Sequence, residues 1–276
     1  MKIAVTGGSG RIGRAVVEMA CAEGHQVVSI DRVTPPPGAV QPGVTFAALD
    51  VTNYPEFERA LRGSDALVHL AAIPSPFRDP DHEVHNNNVV GSYNALRAAA
   101  EVGIRHVCQA SSVNATGMSY SRQAHFDYFP LDENHPTYNE DPYSLSKWIC
   151  EQQGDSFARR YEQMNIASLR FHWVVRDRDA ARPHGVGNPE MLAKQIWAYT
   201  RLDCAARACL LSLTADFRGH EVFLIVAPDT MMDEPSLELK QRYFPNVPMR
   251  GDLSGHRSFF DCSKADKMLG WKHPAG

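Results

Sequence analysis

At 276 residues, with 43% hydrophobic and 22% charged residues, the chain has the size and composition of a soluble globular protein: one large domain, or a domain with a smaller lobe. A formal net charge of -4 gives no general attraction to nucleic acid, and no apolar run reaches the roughly 18 residues of a membrane span. "MKIAVTGG" is too short for a secretory signal and the six cysteines form no CxxC pair, so a cytoplasmic protein with reduced thiols, no disulfide framework and no metal is expected.

In chain order, β-branched apolar runs alternate with helical patterns up to residue 171, the pattern of βαβ units around a parallel sheet. Strands are predicted at 2–7, 26–31, 44–51, 66–72, 106–112 and 166–171, and helices near 11–23, 55–62, 83–102 and 142–163. The proline-rich stretches "VTPPPGAVQPG" (33–43) and "AIPSPFRDPD" (72–81) must be surface loops, because proline fixes φ and lacks an amide donor. Past 171, "RDRDAARPHGVGNP" reads as a polar loop, followed by helical "PEMLAKQIWAYT" and "LDCAARACLLSL". A strand "EVFLIVA", a helix "PSLELKQRYF" and a terminal helix "SKADKMLGW" complete the chain. The expected fold is α/β, a Rossmann-type doubly wound parallel sheet. Residues 1–171 form its main domain, and 172–276 form a small C-terminal α/β substrate lobe whose segments can interleave with it.

Chemistry is expected beyond the carboxyl ends of the strands. There "TGGSGRIG" (6–13) sets Gly7, Gly10 and Gly13 at GxxGxxG spacing, with Arg11 and Ile12 between the last two. It leaves a strand and enters an amphipathic helix, so the glycines allow a tight turn and helix amides meet a pyrophosphate; this segment is read as a dinucleotide cradle rather than a plain flexible corner. Asp31 ends the second strand 18 residues beyond Gly13, where a carboxylate accepts hydrogen bonds from ribose hydroxyls and repels a 2'-phosphate. NAD is therefore the expected cofactor, although Arg32 beside it is what an NADP site would use.

Further on, "DPYSLSKW" puts Tyr143 and Lys147 a turn apart on one helix face, with Asp141 as cap and Pro142 at the first position. An ammonium beside a phenol should lower the phenol's pKa and make it a usable acid or base. The strand ending "ASSVNATG" delivers Ser111 and Ser112 to the same sheet edge.

Taken together, the glycine loop, Asp31, "LDV" (49–51), "HLAA" (69–72), "NNNVVGSYNAL" (86–96), Ser111 and Ser112 with Gly117, "YSLSK" (143–147) and "LGW" (269–271) resemble the extended short-chain dehydrogenase/reductase family, the NAD-dependent epimerase/dehydratases. The resemblance implies that Tyr143 is the acid/base, that Lys147 holds the nicotinamide ribose and tunes it, and that Ser112 orients the substrate oxygen. It further implies Asp50 and Val51 against adenine, Leu70, Ala71 and Ala72 along the cofactor groove, and Asn88 in the cofactor-binding set as a support of the catalytic region.

Several positions depart from the family pattern. Val113 and Asn114 stand where dehydratases carry an Asp-Glu pair, which argues against dehydration. "ATG" (115–117) and "HWVVRD" (172–177) depart from the sugar-nucleotide enzymes. "SSVN" and the short lobe resemble the uronate dehydrogenase branch, so Ser75, Ser111, Asn114, His172 and Arg176 are candidate substrate contacts. Arg176, Arg178 and Arg182 form either a carboxylate clamp or a solvated loop. Asp132, Glu133 and His135 read as the approach to the catalytic helix, not as a metal site.

The expected activity is NAD-dependent hydride transfer at a hydroxyl-bearing carbon of a sugar-like or uronate-like molecule. The alternatives are epimerisation through transient oxidation and a non-catalytic NAD-sensing role. A homodimer through the helices near 83–102 and 142–163 is implied by the resemblance, with no nucleic-acid or membrane partner.

Overall fold

The computed structural model describes residues 1–35 and 42–274. In chain order the strands are β1 (Lys2–Thr6), β2 (Gln26–Asp31), β3 (Val44–Ala48), β4 (Ala66–His69), β5 (His106–Ser112), β6 (Asn165–Phe171), β7 (Val174–Val175), β8 (Thr200–Arg201) and β9 (Gly219–Ile225). The helices are α1 (Arg11–Ala22), α2 (Tyr54–Leu61), α3 (Asp81–Val102), α4 (Pro142–Arg160), α5 (Arg178–Gly187), α6 (Leu202–Ser212), α7 (Ser236–Tyr243) and α8 (Ser263–Leu269).

Seven strands form one sheet in the order β3-β2-β1-β4-β5-β6-β9, every pairing parallel. Chain order reverses between β1 and β4, which opens a crevice at their carboxyl ends. A parallel sheet is covered on both faces, so its strands read as continuous apolar runs; Ile3, Ala4, Val5 and Thr6 of β1 are fully buried. Val16, Val17 and Ala20 of α1 pack with α6 and α8 on one face. Phe57 of α2, Leu96 of α3 and Phe157 of α4 pack on the other.

The layers do not divide at residue 171. β9 extends the sheet beside β6, and the Trp271 indole donates to the Cys204 carbonyl of α6 at 2.9 Å, so the C-terminal segments interleave with the first domain. A separate apolar core around Phe129, Trp197, Met231, Leu239 and Phe259 draws on both halves of the chain.

Three local expectations are corrected. β4 ends at His69 rather than 72: its neighbour β1 ends at Thr6, whose carbonyl and hydroxyl take the Leu70 amide at 3.2 and 3.1 Å and whose hydroxyl takes the Ala71 amide at 3.2 Å. The polar stretch after β7 is not a loop: the Asp177 carboxylate accepts from the Ala180 amide at 2.8 Å and caps α5. Residues 189–200 do not form a helix. They make a short 3-10 turn (Met191–Gln195), and the chain then turns through Ile196 and Trp197 at φ 45 and 50°. There Trp197 is fully buried against Phe259, Tyr243 and Phe244, and its indole donates to the Pro189 carbonyl at 2.9 Å. Burial of a large aromatic ring outweighs helix propensity. Of the predicted loop at 33–43, residues 36–41 lie outside the described residues, and the flanking residues are irregular.

Candidate active site

A cleft of about 940 Å³ runs along the carboxyl ends of β1, β4, β5 and β6, and most of the residues singled out in the sequence line it. One half is built by the glycine loop. Gly7 has φ +67°, and a Cβ there would stand 2.9 Å from the Ala71 amide nitrogen. A Cβ on Gly13 would stand 2.0 Å from the Gly7 carbonyl oxygen, so only glycine lets α1 start this close beneath the turn. Gly10 precedes α1 without a side-chain cap, and the first turn holds no acid. Its amides and the positive end of the helix dipole are therefore available to an anion, which fits a dinucleotide pyrophosphate. Arg11, Ile12 and Gly10 line this part of the cleft, and the Arg11 guanidinium donates to the Val174 carbonyl at 2.6 Å.

At the end of β2, Asp31 also lines the cleft. Its carboxylate accepts from the amides of Ser9 and Val33, each at 3.0 Å, which fixes both oxygens beside the glycine turn. Arg32 turns instead to Asp50, 3.6 Å away. Burial opposes ionisation of Asp50, but the Thr52 amide and hydroxyl and Arg32 outweigh it and hold the carboxyl below its ordinary range. Asp50 and Val51 form one wall of this half; Leu70, Ala71 and Ala72 line the groove opposite.

Asn88 is not in the cleft. It is buried, accepts from the Ile73 amide at 2.8 Å, and donates to the Ile73 carbonyl and the Ser146 hydroxyl, both at 3.0 Å. It ties the loop after β4 to α4, which is a supporting role rather than cofactor contact.

The other half of the cleft holds Ser112, Tyr143 and Lys147. α4 begins where its sequence predicts, with Asp141 accepting from the Ser144 amide at 2.9 Å and Pro142 in the first turn. The Lys147 ammonium donates to the Ala110 carbonyl at 2.8 Å and lies 5.8 Å from the Tyr143 ring centroid. The expected lowering of the phenol pKa by Lys147 is not what this geometry produces. Burial pushes the Tyr143 phenol up, opposed by a hydrogen bond from Ser112, while Tyr120, Asp141 and Cys150 push it further up. Burial also holds Lys147 below its ordinary value, against the pull of Cys150 and Glu151.

Around this centre the sequence missed Tyr120, whose ring meets Tyr143 edge-on at 5.7 Å and Phe77 at 5.3 Å. It lies in the segment before α4, and nothing in its spacing marks it out. Thr6 was missed as well; its hydroxyl receives two amides and donates to His69 Nδ1 at 2.8 Å, stitching β1 to β4 under the cleft.

The candidate substrate contacts separate into two groups. Ser75 and Asn114 line the cleft; the Ser75 hydroxyl accepts from the Phe77 amide at 3.2 Å, and Asn114 Nδ2 lies 3.5 Å from the Ser112 hydroxyl. The others are engaged elsewhere. Ser111 borders the cleft, but its hydroxyl donates to Glu151 at 2.5 Å. His172 also borders the cleft, but it accepts the Trp173 amide at Nδ1 (2.7 Å) and donates from Nε2 to the Gln195 carbonyl (3.0 Å), so both ring nitrogens hold backbone. Its burial depresses its pKa to about 4, leaving the ring neutral.

Arg176 stands outside the cleft, 81% exposed and paired with Asp177 at 2.6 Å. Arg178 pairs with Asp229 at 3.5 Å and Arg182 with Asp233, so no arginine clamp forms. In the approach to α4, Asp132 accepts from the Tyr128 hydroxyl at 2.7 Å. Glu133 accepts from the Leu224 amide at 2.8 Å, and His135 Nε2 accepts from the Asp127 amide at 3.0 Å. Among the described residues no group of three or more His, Cys, Asp or Glu is arranged to hold a metal.

The chain is similar to several known proteins. A dTDP-6-deoxy-L-talose 4-dehydrogenase (NAD(+)) of Aggregatibacter actinomycetemcomitans is 29% identical over 182 residues, 64% of this chain and 63% of that protein's length. The chain thus spans less than two thirds of that relative. UDP-glucose 4-epimerase of Thermotoga maritima, solved with UDP-glucose, superposes with a TM-score of 0.74 at 23% identity, covering 100% of this chain and 94% of that one. A mutated uronate dehydrogenase superposes with a TM-score of 0.71 at 18% identity, over 99% and 82% of the two chains. Residues 3–224 match the NAD dependent epimerase/dehydratase family, and the chain belongs to that family.

Proposed function

We propose that the protein is an NAD-dependent oxidoreductase that exchanges a hydride with a hydroxyl-bearing carbon of a sugar-like or uronate-like small molecule. The observation that carries this is the meeting, in one cleft, of the glycine turn and Asp31 at one end with Ser112, Tyr143 and Lys147 at the other. Bound NAD would supply the two-electron acceptor or donor. The glycine-turn amides would hold its pyrophosphate, Asp31 a ribose, Asp50 and Val51 the adenine, and Lys147 the second ribose, with Leu70, Ala71 and Ala72 along its length.

Tyr143 then exchanges the proton of the reacting hydroxyl while Ser112 holds the oxygen in place. Because burial keeps the phenol protonated, Tyr143 is set to give its proton to a carbonyl oxygen; the reverse direction requires Lys147 and Ser112 to stabilise the phenolate. Ser75, Asn114 and the 172–195 segment are proposed to form the substrate side. The neutral sequence at 113–114 supports simple oxidation or reduction over dehydration.

The test is purified protein with NAD and a panel of aldoses, uronates and nucleotide-linked sugars, followed by NADH absorbance and product analysis. Net NADH supports the dehydrogenase, and an isomerised product without NADH supports the epimerase reading, which uses the same residues. Tyr143→Phe should lower kcat by about 10²- to 10⁴-fold with NAD binding retained. If that variant keeps wild-type turnover, Tyr143 is not the acid/base; if no substrate turns over and only NAD binds, the sensing role gains. A homodimer through α3 and α4 is proposed on the exposed Val90, Tyr93 and Leu145, and a cytoplasmic setting on the six free thiols.

A further inference from the structure

Ser111 and Ser112 are consecutive at the end of β5, and a strand sends consecutive side chains to opposite faces. Ser111 is the register partner of Arg170 on β6, and both reach Glu151 of α4. The Ser111 hydroxyl donates to Glu151 Oε1 at 2.5 Å. Arg170 donates from Nε to Oε1 and from Nη2 to Oε2, both at 2.8 Å. Glu151 is 2% and Arg170 6% exposed. A bidentate, charge-assisted pair of this kind fixes orientation as well as charge.

Glu151 lies one helical turn beyond Lys147, and Lys147 donates to the carbonyl of Ala110 at 2.8 Å. Two α4 side chains four residues apart therefore grip two successive β5 residues, those immediately before Ser112. Tyr143 lies one turn before Lys147 on the same helix. Arg170 satisfies the charge on Glu151 and carries the contact on to the Glu133 carbonyl at 3.3 Å.

We propose that Glu151, with Ser111 and Arg170, is a buried latch that sets the register of α4 against β5 and so places Tyr143 against Ser112. Ser111 and Glu151 are positioning residues for the proton transfer; this assignment rests on the oxidoreductase reading above. Ser111 is thereby reassigned from substrate contact to support. Glu151 has no access to substrate, since it lies outside the cleft lining.

The test is steady-state kinetics of Ser111→Ala, Glu151→Gln, their double variant and Ser111→Thr, on the full chain with NAD and the best substrate of the panel. A displacement of about 1 Å at a reacting pair lowers turnover by up to about 100-fold. Ser111→Ala and Glu151→Gln should each lower kcat by about tenfold or more with KM for substrate and NAD within about twofold. Ser111→Thr keeps the hydroxyl and should restore kcat. The double variant should be no worse than the poorer single one, because both break one contact.

Hydrogen exchange of segments 110–116 and 143–151, measured without substrate, should rise in Ser111→Ala and Glu151→Gln. If kcat is unchanged in Ser111→Ala, if KM alone rises, or if the two effects add in full, the latch is overturned. If no substrate turns over even in the wild type, the oxidoreductase reading fails by itself. The latch then stands on raised exchange in both single variants and falls if exchange is unchanged.

Discussion

Replacing Gly13 by alanine tests the cofactor cradle most directly. The added Cβ would lie 2.0 Å from the Gly7 carbonyl oxygen and 2.8 Å from the Gly7 carbonyl carbon and the Gly8 Cα, all backbone atoms that no rotamer change can move. To reach ordinary contact, the first turn of α1 must shift by about 1.4 Å relative to the turn. Overpacking of this kind costs about 1–3 kcal/mol of stability. The same shift moves helix amides beyond hydrogen-bond reach of a pyrophosphate. Losing two charge-assisted bonds amounts to about 3 kcal/mol, or about 100-fold in NAD affinity.

The assay is titration calorimetry with NAD on protein first shown to be folded by its melting curve. Gly187→Ala serves as the control, because its Cβ would meet nothing within 4 Å. The reasoning is refuted if folded Gly13→Ala binds NAD within about threefold of wild type.

Three further outcomes follow from the same geometry. Asp31→Asn should weaken NAD by about tenfold and improve NADP relative to it, read as the ratio of the two dissociation constants; an unchanged ratio would remove Asp31 from the ribose site. Arg170→Met should cost about 3–5 kcal/mol by leaving Glu151 buried and unpaired, whereas Arg176→Ala, at an 81% exposed site, should cost no more than about 0.5 kcal/mol and leave uronate KM unchanged; denaturant melts and kinetics check both.

His69 and His172 are held by burial at about 3 and about 4 against an ordinary 6.5. Their unfolded forms bind protons first, so this contribution to stability is present above about pH 6.5 and is lost as pH falls toward about 4. The two protons contribute a slope of about 3 kcal/mol per pH unit in that window, and His172→Gln should remove about half of that contribution in urea melts run across the range. A slope unaffected by that substitution would show that His172 is not the group responsible.

By itself the amino-acid sequence determined the parallel α/β fold, the glycine-turn half of the cleft and the Tyr143 and Lys147 pair of its other half, because all three depend on local rules. Strand runs buried on both faces, the glycines at 7, 10 and 13, the acid at the end of β2, and the Tyr143 and Lys147 pair one turn apart are all readable from spacing within single elements. The surroundings of that pair were not readable, because they are made by contacts far apart in the chain.

The same arginines at 176, 178 and 182 could serve a clamp or a solvated surface, and only their neighbours Asp177, Asp229 and Asp233 decided between these. Ser111 and Ser112 are chemically identical neighbours. The strand's alternation sent one to Glu151 and the other to the cleft, and only the packing of α4 against β5 and β6 fixed which. The pKa of Tyr143 likewise turned on burial: a lysine four residues away is visible in sequence, but the desolvation that raises the phenol exists only in the folded chain.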